Sequence, residues 1–92
     1  MIASFHHKGM QRLFSTGSTA RIQPAHAARL RLILAVLNQA TTLQDVALPG
    51  LRLHALRGDR QGWHAVSVSG NWRVVFRWLD GEVLDVDLID YH

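Results

Sequence analysis

The sequence contains no cysteine. That absence removes disulfide staples, thiolate metal sites and cysteine nucleophiles together, and makes a cytoplasmic protein the expected reading. Charge is also scarce, at 18% of residues against 48% hydrophobic, which excludes a disordered tail and calls for a packed core. Long apolar runs are missing as well. The most apolar stretch, around Leu30 to Leu37, is flanked by Arg29 and interrupted by Arg31, and it is far too short to cross a bilayer. No secretory signal is visible, so no membrane association is expected. The 92 residues leave room for a single domain, residues 1–92.

Acids are nearly absent from most of the chain. All ten Lys and Arg residues fall between Lys8 and Arg77, where only Asp45 and Asp59 oppose them, a balance of +8. From Asp80 onward five acids and no Lys or Arg give −5. A basic body with an acidic final segment points to polyanion binding, with some acids retained for internal pairing. Nine of the ten cations are arginine, the side chain suited to bidentate phosphate contacts and to stacking on bases.

Periodicity divides the chain in two. Met1–Phe5 can form a short strand. Met10, Leu13 and Phe14 recur at helical spacing before Gly17, which predicts a helix over His7–Thr16. A stronger helix is predicted from Pro24 to Gln39, with Ala27, Leu30, Ile33, Leu34 and Leu37 as its apolar stripe and Arg29, Arg31 and Asn38 in solvent. After the connector Ala40–Pro49 the period falls to two. Leu51 and Leu53 alternate with Arg52 and His54, and strands are predicted over Trp63–Val68, Trp72–Trp78 and Val83–Ile89. This order gives an α+β fold, with two N-terminal helices packed on one face of a mainly antiparallel sheet.

Parity constrains the last hairpin. Trp72, Val74, Phe76, Trp78, Leu84, Val86 and Leu88 are even, whereas Arg73, Arg77, Asp85 and Asp87 are odd, so a register joining even to odd would place acids among aromatics. A three-residue loop Leu79-Asp80-Gly81, with Gly81 as a left-handed bulge, predicts Trp78 opposite Glu82, Phe76 opposite Leu84 and Arg73 opposite Asp87. The odd face would then carry Arg73 and Arg77, joined by Trp63, Ala65 and Ser67 and by His54.

That face collects Arg52, His54, Arg73 and Arg77, with Arg57 and Arg60 from the adjacent loop. Cations beside an imidazole suit a phosphodiester, because arginine neutralises charge on the phosphorane oxygens while histidine moves a proton to or from a ribose oxygen. The plainer reading is a solvated face with Arg73–Asp87 and Arg77–Asp85 pairs. The final strand delivers Asp90, Tyr91 and His92, where His54 and His92 can share acid/base work, Tyr91 can stack a nucleotide or donate a hydroxyl, and Asp90 can orient an imidazole. The plainer reading here is that Tyr91 covers the sheet edge and Asp90 caps it. His6 and His7 are adjacent, His26 stands alone, and no His-x-x-x-His spacing exists, so no metal is expected. His64 shares the apolar parity and reads as a core-edge residue with a satisfied ring nitrogen. Trp63 either stacks a base or shields the sheet.

Three ordered segments now coincide with one family. Leu53-His54-Ala55-Leu56-Arg57-Gly58-Asp59-Arg60, Asn71-Trp72-Arg73-Val74-Val75-Phe76 and the terminal Asp90-Tyr91-His92 resemble the HigB toxins, also called plasmid-maintenance killer proteins, of the RelE/ParE superfamily. The opening Met1-Ile2-Ala3-Ser4-Phe5, Lys8-Gly9 and Leu13-Phe14 are similar to the same family's N-terminus. The resemblance implies a RelE-like fold and a type II toxin that enters the ribosomal A site and cuts translated mRNA. The implied reaction needs no metal or cofactor: a ribose 2′-hydroxyl attacks the adjacent phosphate, leaving a 2′,3′-cyclic phosphate and a 5′-hydroxyl. The implied partners are the ribosome with its A-site mRNA and a helix-turn-helix HigA-like antitoxin, through which alone operator DNA would be contacted.

Residue by residue, the resemblance places the functional histidine on His54, the terminal triplet on Asp90, Tyr91 and His92, the sheet arginine on Arg73 and the asparagine on Asn71. Arg57 stands where many relatives have lysine, which favours phosphate clamping over proton transfer at that position. The catalytic expectation is therefore His54, Arg73, Asp90, Tyr91 and His92, with Arg52, Arg57, Arg60, Asn71 and Arg77 binding RNA. The superfamily also contains toxins that act by protein contacts on DNA gyrase without cleavage, and fold alone does not separate the two activities. His54 with the terminal Tyr91-His92 favours cleavage.

Overall fold

A computed structural model describes residues 1–91; His92, expected in the catalytic group, lies outside the described residues. The elements in chain order are helix α1 (Lys8–Thr16), helix α2 (Ala27–Gln39), and strands β1 (His54–Ala55), β2 (Trp63–Ser69), β3 (Trp72–Leu79) and β4 (Glu82–Asp90). The four strands form one antiparallel sheet in the order β1-β2-β3-β4. The first residues add to its far edge. Ile2 and Phe5 bridge in parallel to Val83 and Val86, and backbone hydrogen bonds run from Ala3 to Val83 and from Val86 to Ser4.

Both helices begin and end for local reasons. His7 is the residue before α1 rather than its first member, and its Nδ1 accepts from the Met10 N–H at 3.1 Å, satisfying a donor the helix leaves unpaired. The capping ring lies so close to Gly9 that a Cβ there would stand 2.8 Å from it. Gly17, at φ 76°, closes α1 by donating to the Leu13 carbonyl. Pro24 to His26 form a 3₁₀ turn that leads into α2, so the stronger helix is divided where the sequence suggested one element. In the connector after α2, the Asp45 carboxylate accepts from the backbone N–H groups of Thr41 and Thr42 and from the Thr41 hydroxyl.

The helices cover one sheet face. Met10, Leu13, Leu30, Ile33, Leu34 and Leu37 meet Val66, Val68, Val74, Phe76, Val83 and Val86 in the main core. Arg29 and Asn38 are not simply in solvent. The Arg29 guanidinium donates to the Ser67 and Gly50 carbonyls, the shorter contact being 2.7 Å, and Asn38 accepts from the Ile2 N–H. Arg29 thus pins α2 to β2 and to the turn before β1.

The register of the β3–β4 hairpin corrects the expectation. Its loop is the two-residue Asp80-Gly81, with Leu79 opposite Glu82 and both loop residues at positive φ (51° and 78°), the conformation that matches the twist of paired strands. That loop would send every later residue to the wrong face, and an extra residue in β4 prevents it. Asp85, at φ 55°, interrupts the ladder between the pairs Arg77–Leu84 and Val75–Asp87. Beyond it Arg73 faces Ile89 rather than Asp87. Val83 and Val86 are consequently both buried in the core, and Leu84, expected inside, is not among the core residues. The Ser4 hydroxyl accepts from the Asp85 N–H at 2.8 Å and holds the bulge.

Replacing Arg29 by Met is expected to cost about 1–2 kcal/mol in urea unfolding, since charge-assisted bonds to two carbonyls are lost. Asp45 offers a pH test. Its hydrogen bonds from Thr41 and Thr42 hold the carboxyl below the ordinary 3.8, so its stabilising effect is complete above that value and fades as pH falls below it. Asp45→Asn should lower Tm at pH 7, and the gap from the parent should close on acidification below pH 3.8.

Candidate active site on the open sheet face

The face away from the helices is ordered by cross-strand pairs. His54 faces Ala65, Ala65 faces Val75 and Val75 faces Asp87, forming one row. Ser67, Arg73 and Ile89 form the neighbouring row, while Trp63 and Arg77 lie on the other side. Directly paired residues share a face, and so do residues two apart, so His54 and Arg73 project from the same surface with Cα atoms ~12 Å apart. The sequence expected this shared face. It did not foresee that the centre of the face is apolar: Leu56, Ala65 and Val75 are buried in a second cluster with Trp63 and Ile89 packed on it. The polar groups therefore stand around a dry floor.

His54 is exposed, and its Nδ1 lies 2.9 Å from the Arg52 carbonyl oxygen. A carbonyl only accepts, so Nδ1 carries the proton and Nε2 is left as an acceptor. Arg52 holds that carbonyl in place from a left-handed backbone conformation, φ 54°. The Arg73 guanidinium folds back on its own turn, one nitrogen donating to the Gly70 carbonyl at 2.7 Å and to the Trp72 carbonyl at 3.0 Å. Its remaining N–H groups point a fixed cation at the surface. Arg77 pairs with Asp85 at 3.0 Å, as expected, and both ends are about half-exposed, so a phosphate can displace that contact at low cost. The expected Arg73–Asp87 pair does not form, because the bulge moves Asp87 opposite Val75; Asp87 lies instead 3.9 Å from the His6 imidazole.

The remaining expected residues are spread around the face. Arg57 is exposed at the start of the 3₁₀ turn Gly58–Arg60, and the Arg60 guanidinium lies 5.2 Å above the Trp63 ring. Asn71 occupies the β2–β3 turn, where its carbonyl accepts from the Tyr91 N–H at 2.7 Å and fastens the end of β4. Tyr91 is half-exposed. Asp90 sits opposite Trp72, so strand alternation places it on the helix-covered side of the sheet end rather than beside Arg73. Sequence reasoning missed His6, which reaches this surface only because the N-terminal segment pairs with β4. No local pattern announces such a contact.

Two other histidines are taken up by the interior. His64 stacks on Phe76 with ring centroids 5.8 Å apart, and His26 is buried against Trp72 with Nε2 2.9 Å from the Ser69 hydroxyl. His64 is a core-edge residue, as parity suggested, and its Nδ1 is buried with no hydrogen-bond partner among the described residues. Among the described residues no group of three or more His, Asp or Glu side chains gathers closely enough to hold a metal ion. Nor is any described helix long and apolar enough to cross a membrane.

Residues 3–92 match the family described as RelE-like toxin of type II toxin-antitoxin system HigB. The chain belongs to the HigB-like toxins. It is 34% identical to Endoribonuclease HigB of Proteus vulgaris over 92 residues, the full length of both chains. It is 28% identical to Toxin HigB-1 of Vibrio cholerae serotype O1 over 90 residues, covering 96% of this chain and 95% of that one. The crystal structure of an E. coli YafQ mutant superposes with a TM-score of 0.56 over 92% of this chain and 88% of that one at 14% identity, which supports the RelE-like architecture. As a type II toxin, the HigB-like protein has an antitoxin as its partner.

Burial drives the His64 imidazole below its ordinary 6.5, which favours the neutral ring in the folded state. Acidification below 6.5 then protonates the unfolded chain first, so stability falls until the lower folded value is passed. His64→Phe should flatten this decline: the loss in urea midpoint between pH 7.5 and pH 5 is expected to be smaller in the variant than in the parent.

Proposed function

We propose that this HigB-like toxin is an endoribonuclease that cuts mRNA in the ribosomal A site and so inhibits translation. The observation that carries the reading is the common placement of His54 and Arg73 on one exposed face, with His54 fixed by Arg52 so that Nε2 is the free acceptor. The name of the Proteus vulgaris relative, Endoribonuclease HigB, supports it.

In the proposed reaction the ribose 2′-oxygen attacks the adjacent phosphorus and the bond from phosphorus to the 5′-oxygen breaks. His54 takes the 2′-hydroxyl proton through Nε2, and a second group returns a proton to the departing 5′-oxygen. His92, outside the described residues, is the group we assign to that return. The products are a 2′,3′-cyclic phosphate and a 5′-hydroxyl, with no water consumed and no step routed through a metal or cofactor. Arg73 and Arg57 neutralise the charge that builds on the phosphorane oxygens. Tyr91 orients a nucleotide, Asp90 supports a histidine, and Asn71 holds the sheet end that presents them. Arg52, Arg60 and Arg77 bind the RNA, Arg52 and Arg77 through phosphate contacts and Arg60 from its place over the Trp63 ring.

The site is shallow and has few proton-transfer groups, so positioning is assigned to the ribosome, where alignment alone can contribute about 7–11 kcal/mol. Naked RNA should accordingly be cut poorly. The antitoxin is assigned as a helix-turn-helix HigA-like protein, with operator DNA contacted only through it.

Inducing the protein and mapping new 5′ ends on translating mRNA tests the reading. In-frame cleavage is expected, reduced at least ~100-fold by His54→Ala with little change in Tm and by Arg73→Ala, and insensitive to chelators. DNA breaks or gyrase arrest without new mRNA ends would replace it with the non-cleaving reading.

A further inference from the structure

A cleft of about 540 Å³ opens beside the Trp63–Arg77 pair, lined by His6, Asp59, Arg60, Trp63, Asp85 and Asp87. The reaction assigned above uses none of its carboxylates. Its size falls within the range of small-ligand sites. One wall is flat and apolar: Trp63 is half-buried, rests on the Leu56 cluster, and carries the Arg60 guanidinium above its ring. Indole and guanidinium planes are the surfaces on which unstacked bases settle.

The other wall accepts hydrogen bonds, and its acceptors are unequally occupied. Asp85 is engaged by Arg77 and by the Ser4 hydroxyl. Asp87 accepts from the Leu88 N–H and stands near His6. Asp59, on the 3₁₀ turn that also carries Arg60, has neither a hydrogen bond nor an ion pair among the described residues. Three carboxylates against one lining guanidinium disfavour a phosphate in this cleft. A fitting ligand brings a flat face and adjacent N–H donors. Of the four RNA bases only guanine offers two neighbouring donors, N1–H and the N2 amino group, to a single carboxylate.

We propose that this cleft is a guanine-reading subsite, in which the base stacks on Trp63 and Arg60 while Asp59 accepts from its Watson–Crick edge. The inference rests on the RNA-cleaving reading, and it assigns to these residues the base preference at a nucleotide flanking the cut. The sequence left Trp63 between stacking a base and shielding the sheet; the carboxylate beside it selects the former.

The test is a titration of the whole protein with free ribonucleosides, followed by NMR at the Trp63 indole N–H, which is assigned by its disappearance in Trp63→Phe. Guanosine is expected to shift that signal. Inosine, which lacks the amino group, should bind about ten-fold more weakly, and adenosine, cytidine and uridine more weakly still. Asp59→Asn should remove the preference for guanosine while leaving Tm unchanged, and in translating cells it should redistribute the bases found around the cuts. Equal shifts with all nucleosides, or no shift with guanosine, would overturn the proposal. So would a response to methylguanidinium alone, which would mark a protein partner's arginine as the occupant. The titration needs no cleavage. Guanosine binding without any mRNA cutting would therefore sink the enzymatic reading alone, and cutting without guanosine binding would sink this one alone.

Discussion

One backbone irregularity governs the arrangement of this molecule: the extra residue at Asp85, held at positive φ and secured by the Ser4 hydroxyl. A two-residue Asp-Gly turn pairs an odd residue with an even one, and continued unchanged it would expose half of β4's apolar side chains and bury its acids. The bulge restores the phase after a single position. Val83 and Val86, three positions apart, can both be core residues only because the bulge lies between them. The same event aims Asp85 at Arg77 and moves Asp87 away from Arg73, which has no carboxylate partner among the described residues.

Much of this was visible in the residue pattern. Helix positions, the antiparallel run of the last three strands, the inward set Val66, Val68, Val74 and Phe76, and the shared face of His54 and Arg73 all follow from local periodicity. The bulge escaped because parity constrains only the sum of paired positions, and two devices, a longer loop or an added strand residue, satisfy it equally. Sequence favours neither until the N-terminal segment is known to lie alongside β4 and supply Ser4. Arg29 was misjudged for a related reason. Its place off the apolar stripe is correct, but the carbonyls it reaches belong to segments about 20 and 38 residues away.

The charge division takes on a more specific meaning in three dimensions. The basic part of the chain does not form one uniform patch: Arg29 is spent on backbone carbonyls, Arg77 on Asp85, and Arg60 on an indole. Arg73 is bound through one nitrogen to the Gly70 and Trp72 carbonyls, and Arg57 and Arg52 are the exposed cations of this face with no such contact among the described residues. The acidic end is likewise not simply a set of counterions, since Asp85 and Asp87 help to line a cleft on the same side of the sheet. In the proposed reading this surface treats the two parts of a nucleotide differently, with the phosphate assigned to the exposed cations and the base to the acceptor-rich recess.

The parallel bridges from Ile2 and Phe5 to β4 also bear on biosynthesis. Contacts such as Ser4 to Asp85 span 81 positions, so the segment translated early has no partner until the last strand has been made. Closure of such distant pairs is intrinsically slow. A partly synthesised chain has neither the bulge nor the cleft, and the finished surface cannot assemble while β4 is still being added. If the protein cuts mRNA on the ribosome, as proposed, the surface that would do so is completed only when its last strand is in place.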